Sequence, residues 1–163
     1  MSASSWKNTI GDLVSVLARW ALGCEFIYMG LNKALHPVEF LKLVHQYDLV
    51  SNPFLLNSIA AALPWFEFYC GVLLVAGVAV RGSALVALGM LIPFTTIVLR
   101  RGLAIAAAEG LRLFAVKFDC GCGNGEVFLC HKLAENSGLI LLAAFLLAAS
   151  SRRFCARFSL AKP

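Results

Sequence analysis

Charge is scarce in this chain, and long polar stretches are absent. Only 14% of the 163 residues are Asp, Glu, Lys or Arg, whereas 60% are hydrophobic and the mean hydropathy is +0.81. A soluble domain of this length cannot bury so large an apolar fraction. The shortage of polar sequence also excludes a separate soluble domain, a nucleotide-binding fold and a long disordered tail. Internal repeats and low-complexity segments are absent as well.

What the chain does contain is a set of apolar runs with few charges. These runs lie at Leu13–Leu35, Leu55–Val80, Ser83–Leu99 and Gly138–Ser150. The first two reach the roughly 20 residues that a helix needs to cross a bilayer. We therefore predict one all-α domain over residues 1–163, an integral membrane four-helix bundle whose two termini lie on the same side.

The two connections on the other side of this bundle have amphipathic sequence. Val38–Val50 follows the helix-breaking Pro37 and has apolar residues at helical spacing, which predicts an interfacial helix. Leu103–Phe118 is apolar but carries three charges, which are costly in lipid. We expect this second segment to be an interfacial helix or an extension of the third span, with a fifth crossing as the alternative.

The net charge of +5 does not indicate nucleic acid, because the basic residues are scattered at the ends of apolar runs. A compact basic tail follows the last span and predicts a cytoplasmic C-terminus: Arg152, Arg153, Arg157 and Lys162. With this tail included, the basic residues are divided evenly between the two sides, six on each, so charge alone does not orient the bundle. With this tail inside, both amphipathic connections are expected to be extracytoplasmic.

Charged residues within the predicted spans are few and informative. In the first span, small and polar residues recur at three- and four-residue steps, which places them on one side of the helix: Arg19, Gly23, Gly30 and Lys33. The second span carries one carboxylate, Glu67, which must either protonate or find a cation. Of the candidate cations Lys33, Arg19 and Arg112, we predict that Lys33 forms a structural ion pair with Glu67. A proton relay is the alternative.

The segment before the last span is the most unusual in the chain, because it combines glycines with Cys120, Cys122 and Cys130. Two cysteines separated by one glycine can close only a small, strained disulfide ring, and such disulfides exchange readily. We therefore predict thiol–disulfide chemistry with Cys120, Cys122 and Cys130 as the reactive residues. In this interpretation Cys130 resolves or exchanges the bond between the other two.

Two alternatives to redox chemistry remain open for this segment. A zinc or copper ion could be held by Cys120, Cys122, Cys130 and His131, although these gaps do not match the common zinc spacings and we expect no metal. A glycine turn closed by one structural disulfide is the other alternative. The remaining cysteines are given no role, and Cys24 and Cys70 are expected to be buried thiols within their spans.

Three separated motifs resemble a known family. Arg19–Lys33 has the pattern R-x(3)-G-x(2)-F-x(3)-G-x(2)-K, Pro64–Glu67 reads PWFE with glycines after it, and Asp119–Gly123 reads DCGCG before the last span. In these motifs, over about residues 19–150, the chain resembles the MauE proteins. That family consists of four-helix membrane proteins of the wider DoxX-like group.

The resemblance implies a place in methylamine utilisation, where such proteins are implicated in helping a thioredoxin-like partner form disulfides in a periplasmic dehydrogenase subunit. It therefore implies an accessory role in extracytoplasmic thiol–disulfide redox or maturation of a client such as an amine dehydrogenase. The cysteine segment would lie outside the inner (cytoplasmic) membrane.

We expect this chain to act as the membrane component of a thiol–disulfide oxidoreductase, passing electrons to a quinone or a thioredoxin-like protein. The expected partners are the lipid bilayer and a thioredoxin-like protein or client enzyme, without nucleic acid. A non-enzymatic membrane scaffold or metal-handling protein is the alternative.

Overall fold

The computed structural model of the protein describes residues 3–47, 52–119 and 125–148, with side chains from residue 11 onward. These residues form five α-helices and one two-stranded antiparallel hairpin. In chain order the elements are α1 (Ala3–Leu35), α2 (Pro37–Gln46), α3 (Pro53–Ala76), α4 (Val80–Glu109), β1 (Lys117–Asp119), β2 (Glu126–Phe128) and α5 (Leu129–Ala148), with a short 3-10 helix at Leu113–Ala115.

Four of the described helices are long and apolar enough to cross a membrane. They are Gly11–Leu35 within α1 and the whole of α3, α4 and α5. Helices suit this environment because they satisfy their own backbone hydrogen bonds where lipid offers none. The 10 residues of α2 are too few to span. The chain is therefore a multi-pass membrane protein with an all-α bundle, which confirms the predicted fold class.

Local sequence explains where these helices begin and end. The side chain of Asn52 caps α3 by accepting hydrogen bonds from the backbone N–H groups of Phe54 and Leu55, at 2.9 and 3.4 Å. Helices α3 and α4 end at Gly77 and Gly110, whose φ values of 71° and 64° are left-handed and suit glycine. At Gly110 the chain leaves α4 and turns toward the hairpin.

Helices α1 and α3 pack against each other more extensively than any other pair of described elements. A Cβ added at Gly71 would lie 2.6 Å from the carbonyl oxygen of Gly23, and one added at Gly30 would lie 2.7 Å from the carbonyl oxygen of Pro64. The helices are antiparallel, because the later glycine of α1 meets the earlier part of α3. The small residues predicted to share one side of α1 thus form its contact with α3.

Helix α5 packs mainly on α4 and is joined to the hairpin at its first residue. Leu129 is buried against Gly102, and its backbone N–H donates to the carbonyl of Val116 at 3.0 Å. The helix order places α2 and the hairpin at one end of the bundle and the α3–α4 turn at the other. The core lies between all four spanning helices and includes Leu22, Phe26, Leu74, Ala87, Val98 and Ala143.

The second connection differs from the expected interfacial helix. Leu103–Glu109 does extend the third span, but the described residues from 110 to 128 contain no α-helix and no fifth crossing. Gly110 ends α4, and three residues of β1 then pair with three of β2, Phe118 lying opposite Val127. Phe118 is buried while its two neighbours on β1 are exposed, an alternation that suits a strand with one covered face.

The expectation that Cys24 is buried is wrong. Helix α1 turns Leu22, Phe26 and Met29 into the core, and Cys24 falls on another side of the helix, at the outer surface of the bundle. Within a spanning helix that surface faces lipid, which is as apolar as the core. Cys70 is buried as expected, and its thiol lies 3.5 Å from the carbonyl oxygen of Ser83.

The close contact of α1 with α3 predicts the effect of Gly71→Ala. The new Cβ would lie 2.6 Å from the Gly23 carbonyl oxygen and 2.8 Å from the backbone nitrogen of Ile27, atoms that cannot rotate away. We expect a loss of stability at or above the upper end of the roughly 1–3 kcal/mol typical of overpacking. The measurement is thermal unfolding of the purified protein in detergent, followed by circular dichroism.

The matched control is Gly138→Ala on α5, where an added Cβ meets nothing within 4 Å. This variant should be as stable as the unaltered protein or slightly more stable, because alanine favours helices over glycine by about 1 kcal/mol. Equal melting temperatures for the two variants would contradict the close packing of α1 on α3.

Candidate functional site

A buried ion pair joins α1 to α3 near the hairpin end of the bundle. The Nζ atom of Lys33 donates to both carboxylate oxygens of Glu67, at 2.6 Å to Oε1 and 2.7 Å to Oε2. The two residues are only 5% and 8% exposed. The close approach of the helices at Gly30 makes this contact possible, since a Cβ there would lie 3.1 Å from the Cβ of Glu67. The predicted pairing of Lys33 with Glu67 is therefore present.

Two aromatic rings from other helices cover the same ammonium group. Lys33 Nζ lies 5.4 Å from the ring centroid of Phe40 on α2 and 5.6 Å from that of Phe94 on α4. Both distances are within the range of a cation–π contact. Four helices thus converge on one nitrogen atom, and its position depends on all of them.

An open groove, lined mainly by polar and charged residues and called the polar groove below, lies on the outer side of Lys33. It has a volume of about 420 Å³ and lies between the end of α1, the helix α2 and the two ends of the hairpin strands. The hairpin contributes Asp119 and Gly125, while α1, α2 and the residue between them contribute the other polar groups: Asn32, Lys33, His36, Glu39, Lys42 and Gln46.

A second, apolar cavity lies on the membrane side of the ion pair. Its volume is about 260 Å³, and it is bounded by α2, α3 and α4 with Lys33 and Glu67 as its charged residues. Lys33, Phe40 and Leu43 line both this cavity and the polar groove. These three side chains therefore form the boundary between a polar compartment and an apolar one.

The segment with the two closely spaced cysteines begins and ends at the polar groove. Cys120 and Cys122, the first two predicted reactive residues, lie outside the described residues, as does the basic tail. Their described neighbours are Asp119 and Gly125, which both line the groove.

The third predicted cysteine, Cys130, lies in the first turn of α5 and is a half-buried free thiol. It follows β2 at the end of the hairpin where Lys117 pairs with Phe128. Asp119, the last described residue before Cys120, pairs with Glu126 at the opposite end of the hairpin. The metal alternative, which adds the exposed His131, includes two residues outside the described part and stays a prediction. Among the described side chains, no three of His, Cys, Asp and Glu are close enough to hold an ion.

A second charged cluster, between α1 and α5, was missed by the sequence reasoning. Lys132 is completely buried and donates to Glu135 at 2.9 Å, and the carboxylate of Glu25 on α1 interacts electrostatically with both residues. Lys132 and Asn136, in the polar first half of α5, both face the bundle interior. Their four-residue spacing was the available signal, because it places both on one side of a helix.

Comparison with known proteins gives a match to a protein family. The family model described as methylamine utilisation protein MauE matches residues 11–149. The matched region contains all four spanning helices and the hairpin. No curated protein and no solved structure matches significantly. The resemblance found in the three sequence motifs is thereby confirmed at the level of the family.

The buried ion pair predicts a strong coupling between Lys33 and Glu67. Removing one partner leaves the other charge buried in an apolar bundle, which costs about 3–5 kcal/mol, whereas removing both leaves no charge to solvate. We expect Lys33→Met and Glu67→Gln each to destabilise the protein more than the double variant does. Melting temperatures and membrane protein levels of the four proteins give the coupling energy, and additive losses would contradict the pairing.

Proposed function

The chain belongs to the MauE family of methylamine utilisation, and from that premise we propose that it acts as the membrane component of a thiol–disulfide redox system. In this role it matures an extracytoplasmic client enzyme, such as an amine dehydrogenase, directly or through a thioredoxin-like protein. The reactive groups are the thiols of Cys120 and Cys122.

The position of the polar groove is the observation that supports this proposal. Two of its lining residues, Asp119 and Gly125, are the described residues on either side of the cysteine segment. A groove at that place gives a partner's polypeptide a surface beside the thiols. Its volume of about 420 Å³ is within the range of about 300–1,000 Å³ typical of ligand sites.

The lining of the groove suits a short polypeptide segment. Gln46 offers an amide group, while Lys42 and Glu39 offer charges of both signs, so backbone and side-chain groups of a partner can be satisfied. Positive side chains near a cysteine also favour the thiolate, which is the nucleophile in disulfide exchange. The negative carboxylates of Glu39 and Asp119 disfavour the thiolate. The groove therefore contains charges that act on a nearby thiol in both directions.

The proposed exchange transfers two electrons from the partner to the chain. A thiolate of the partner attacks the disulfide between Cys120 and Cys122, the S–S bond breaks, and a mixed disulfide forms. The second partner thiolate then attacks the mixed disulfide and releases the chain's second cysteine. The partner leaves with a new disulfide, and the chain leaves as a dithiol that an acceptor must reoxidise.

We propose that the groove faces the extracytoplasmic side of the cytoplasmic membrane. Disulfides persist in extracytoplasmic compartments, and the basic tail favours a cytoplasmic C-terminus. A membrane-impermeant maleimide is expected to label the reduced cysteine segment on intact cells. Cys24 should stay unlabelled as an internal control, since it faces lipid within a span. Labelling of the segment only after lysis would reverse the orientation.

Thiol trapping of the full chain tests the redox role. After oxidising and reducing treatments, alkylation with a mass-tagged reagent and peptide mass spectrometry should show Cys120 and Cys122 changing state together. Cys120→Ser and Cys122→Ser should each abolish disulfide formation in the client, measured as the fraction of oxidised client subunit. Cys24→Ser is the matched control and should leave that fraction unchanged.

If Cys120 and Cys122 keep one redox state under both treatments, the redox proposal is wrong. The same conclusion follows if the client is fully oxidised in cells that carry Cys120→Ser. Either result would favour the scaffold function, in which the segment only binds a partner.

A further inference from the structure

The apolar cavity behind Lys33 is open to the membrane. Gly89 and Pro93 of α4 line it and are exposed on the outer surface of the bundle. An added Cβ at Gly89 would meet nothing within 4 Å, so this wall contains open space. The opposite walls come from apolar residues of α2 and α3, among them Leu43 and Leu63. A lipid-soluble molecule could therefore enter between α3 and α4 without crossing a polar surface.

The inner end of the cavity is chemically different from its walls. A lysine ammonium has three N–H donors, and two of those on Lys33 are directed to the oxygens of Glu67. Among the described residues, Glu67 is the hydrogen-bond partner of this nitrogen. One donor of a 5% exposed lysine is thus available at the end of an apolar space. The side chains of Phe40 and Phe94 also line the cavity beside this nitrogen and provide apolar contacts for a planar ring.

We propose that this cavity binds the ring of a lipid-soluble quinone, with Lys33 donating a hydrogen bond to one ring carbonyl. A quinone combines a flat ring, hydrogen-bond-accepting carbonyls and an apolar tail, and each part has a counterpart in the cavity. The volume of about 260 Å³ is near the lower limit for ligand sites, which suits the ring and the start of the tail, with the remaining tail in lipid.

The position of the cavity gives the quinone a role, which rests on the redox function proposed above. Lys33, Phe40 and Leu43 are shared with the groove that adjoins the cysteine segment, so a ring at Lys33 lies directly behind that groove. Oxidation of Cys120 and Cys122 breaks two S–H bonds, forms one S–S bond and releases two electrons and two protons. One quinone accepts all of them and becomes a quinol, which balances the reaction.

The experiment uses the full chain in nanodiscs and a photoreactive azido-ubiquinone with a ten-carbon tail. Peptide mapping by mass spectrometry should locate the label on α2, α3 or α4, the helices that line the cavity. Decylubiquinone should compete for labelling, and 1-decanol at the same concentration should not. Equal competition by the alcohol would mean that the cavity holds an alkyl chain, and it would overturn the proposal.

A matched pair of variants tests the location of the site. Gly89→Leu fills the open space at the cavity wall and should reduce labelling about tenfold, a change of about 1.4 kcal/mol in binding. Gly138→Leu adds the same side chain to α5, where an added Cβ also meets nothing within 4 Å, and should leave labelling unchanged. Undiminished labelling of Gly89→Leu would overturn the proposal. So would labelling of the unaltered protein that maps outside α2, α3 and α4, whatever the variants do.

The double variant Cys120→Ser/Cys122→Ser separates this inference from the redox function. It should bind the azido-ubiquinone as the unaltered protein does, because Lys33 and the apolar side chains that make the proposed contacts are unchanged. If labelling persists at the cavity while thiol trapping shows no cycling, the quinone site stands and the redox function is wrong. If the cysteines cycle but the label maps elsewhere, the redox function stands and the quinone site is wrong.

Discussion

The ion pair between Lys33 and Glu67 is the interaction on which the functional end of this bundle depends. Two charges within an apolar bundle are tolerable only while they stay together, so α1 and α3 must keep one register and one separation. The glycine contacts between these helices provide that separation. Phe40 and Phe94 then place α2 and α4 against the same ammonium group, which fixes the elements around both cavities.

The consequence is an arrangement of two compartments in series. Outside Lys33 lies a polar groove that adjoins the cysteine segment, and inside it lies an apolar cavity that opens toward lipid. Thiol exchange needs the first environment, since thiolates and polypeptides are polar, and a lipid-soluble electron acceptor needs the second. Lys33, Phe40 and Leu43 line both spaces and form the boundary between them, so the two halves of the proposed redox cycle would take place on opposite sides of these side chains.

Patterns within one segment and one contact between segments, the Lys33–Glu67 pair, could be predicted from the sequence, whereas the other contacts between segments could not. The spans and the partner of Glu67 could be predicted, because helical periodicity and the cost of a lone charge in lipid are local signals. The hairpin was missed because its three-residue strands are defined only by pairing with each other. The burial of Lys132 results from the packing of α5 against the other helices, and Cys24 was misplaced because lipid and core are equally apolar.

Single-turnover reduction of a quinone by the reduced chain is the most direct test of this account. The protein is reduced, freed of reductant and mixed anaerobically in nanodiscs with decylubiquinone, and the quinol formed is measured from the loss of quinone absorbance. The account predicts one quinol for each chain, together with a disulfide between Cys120 and Cys122. Failure to form quinol, or an equal yield from Cys120→Ser/Cys122→Ser, would contradict it.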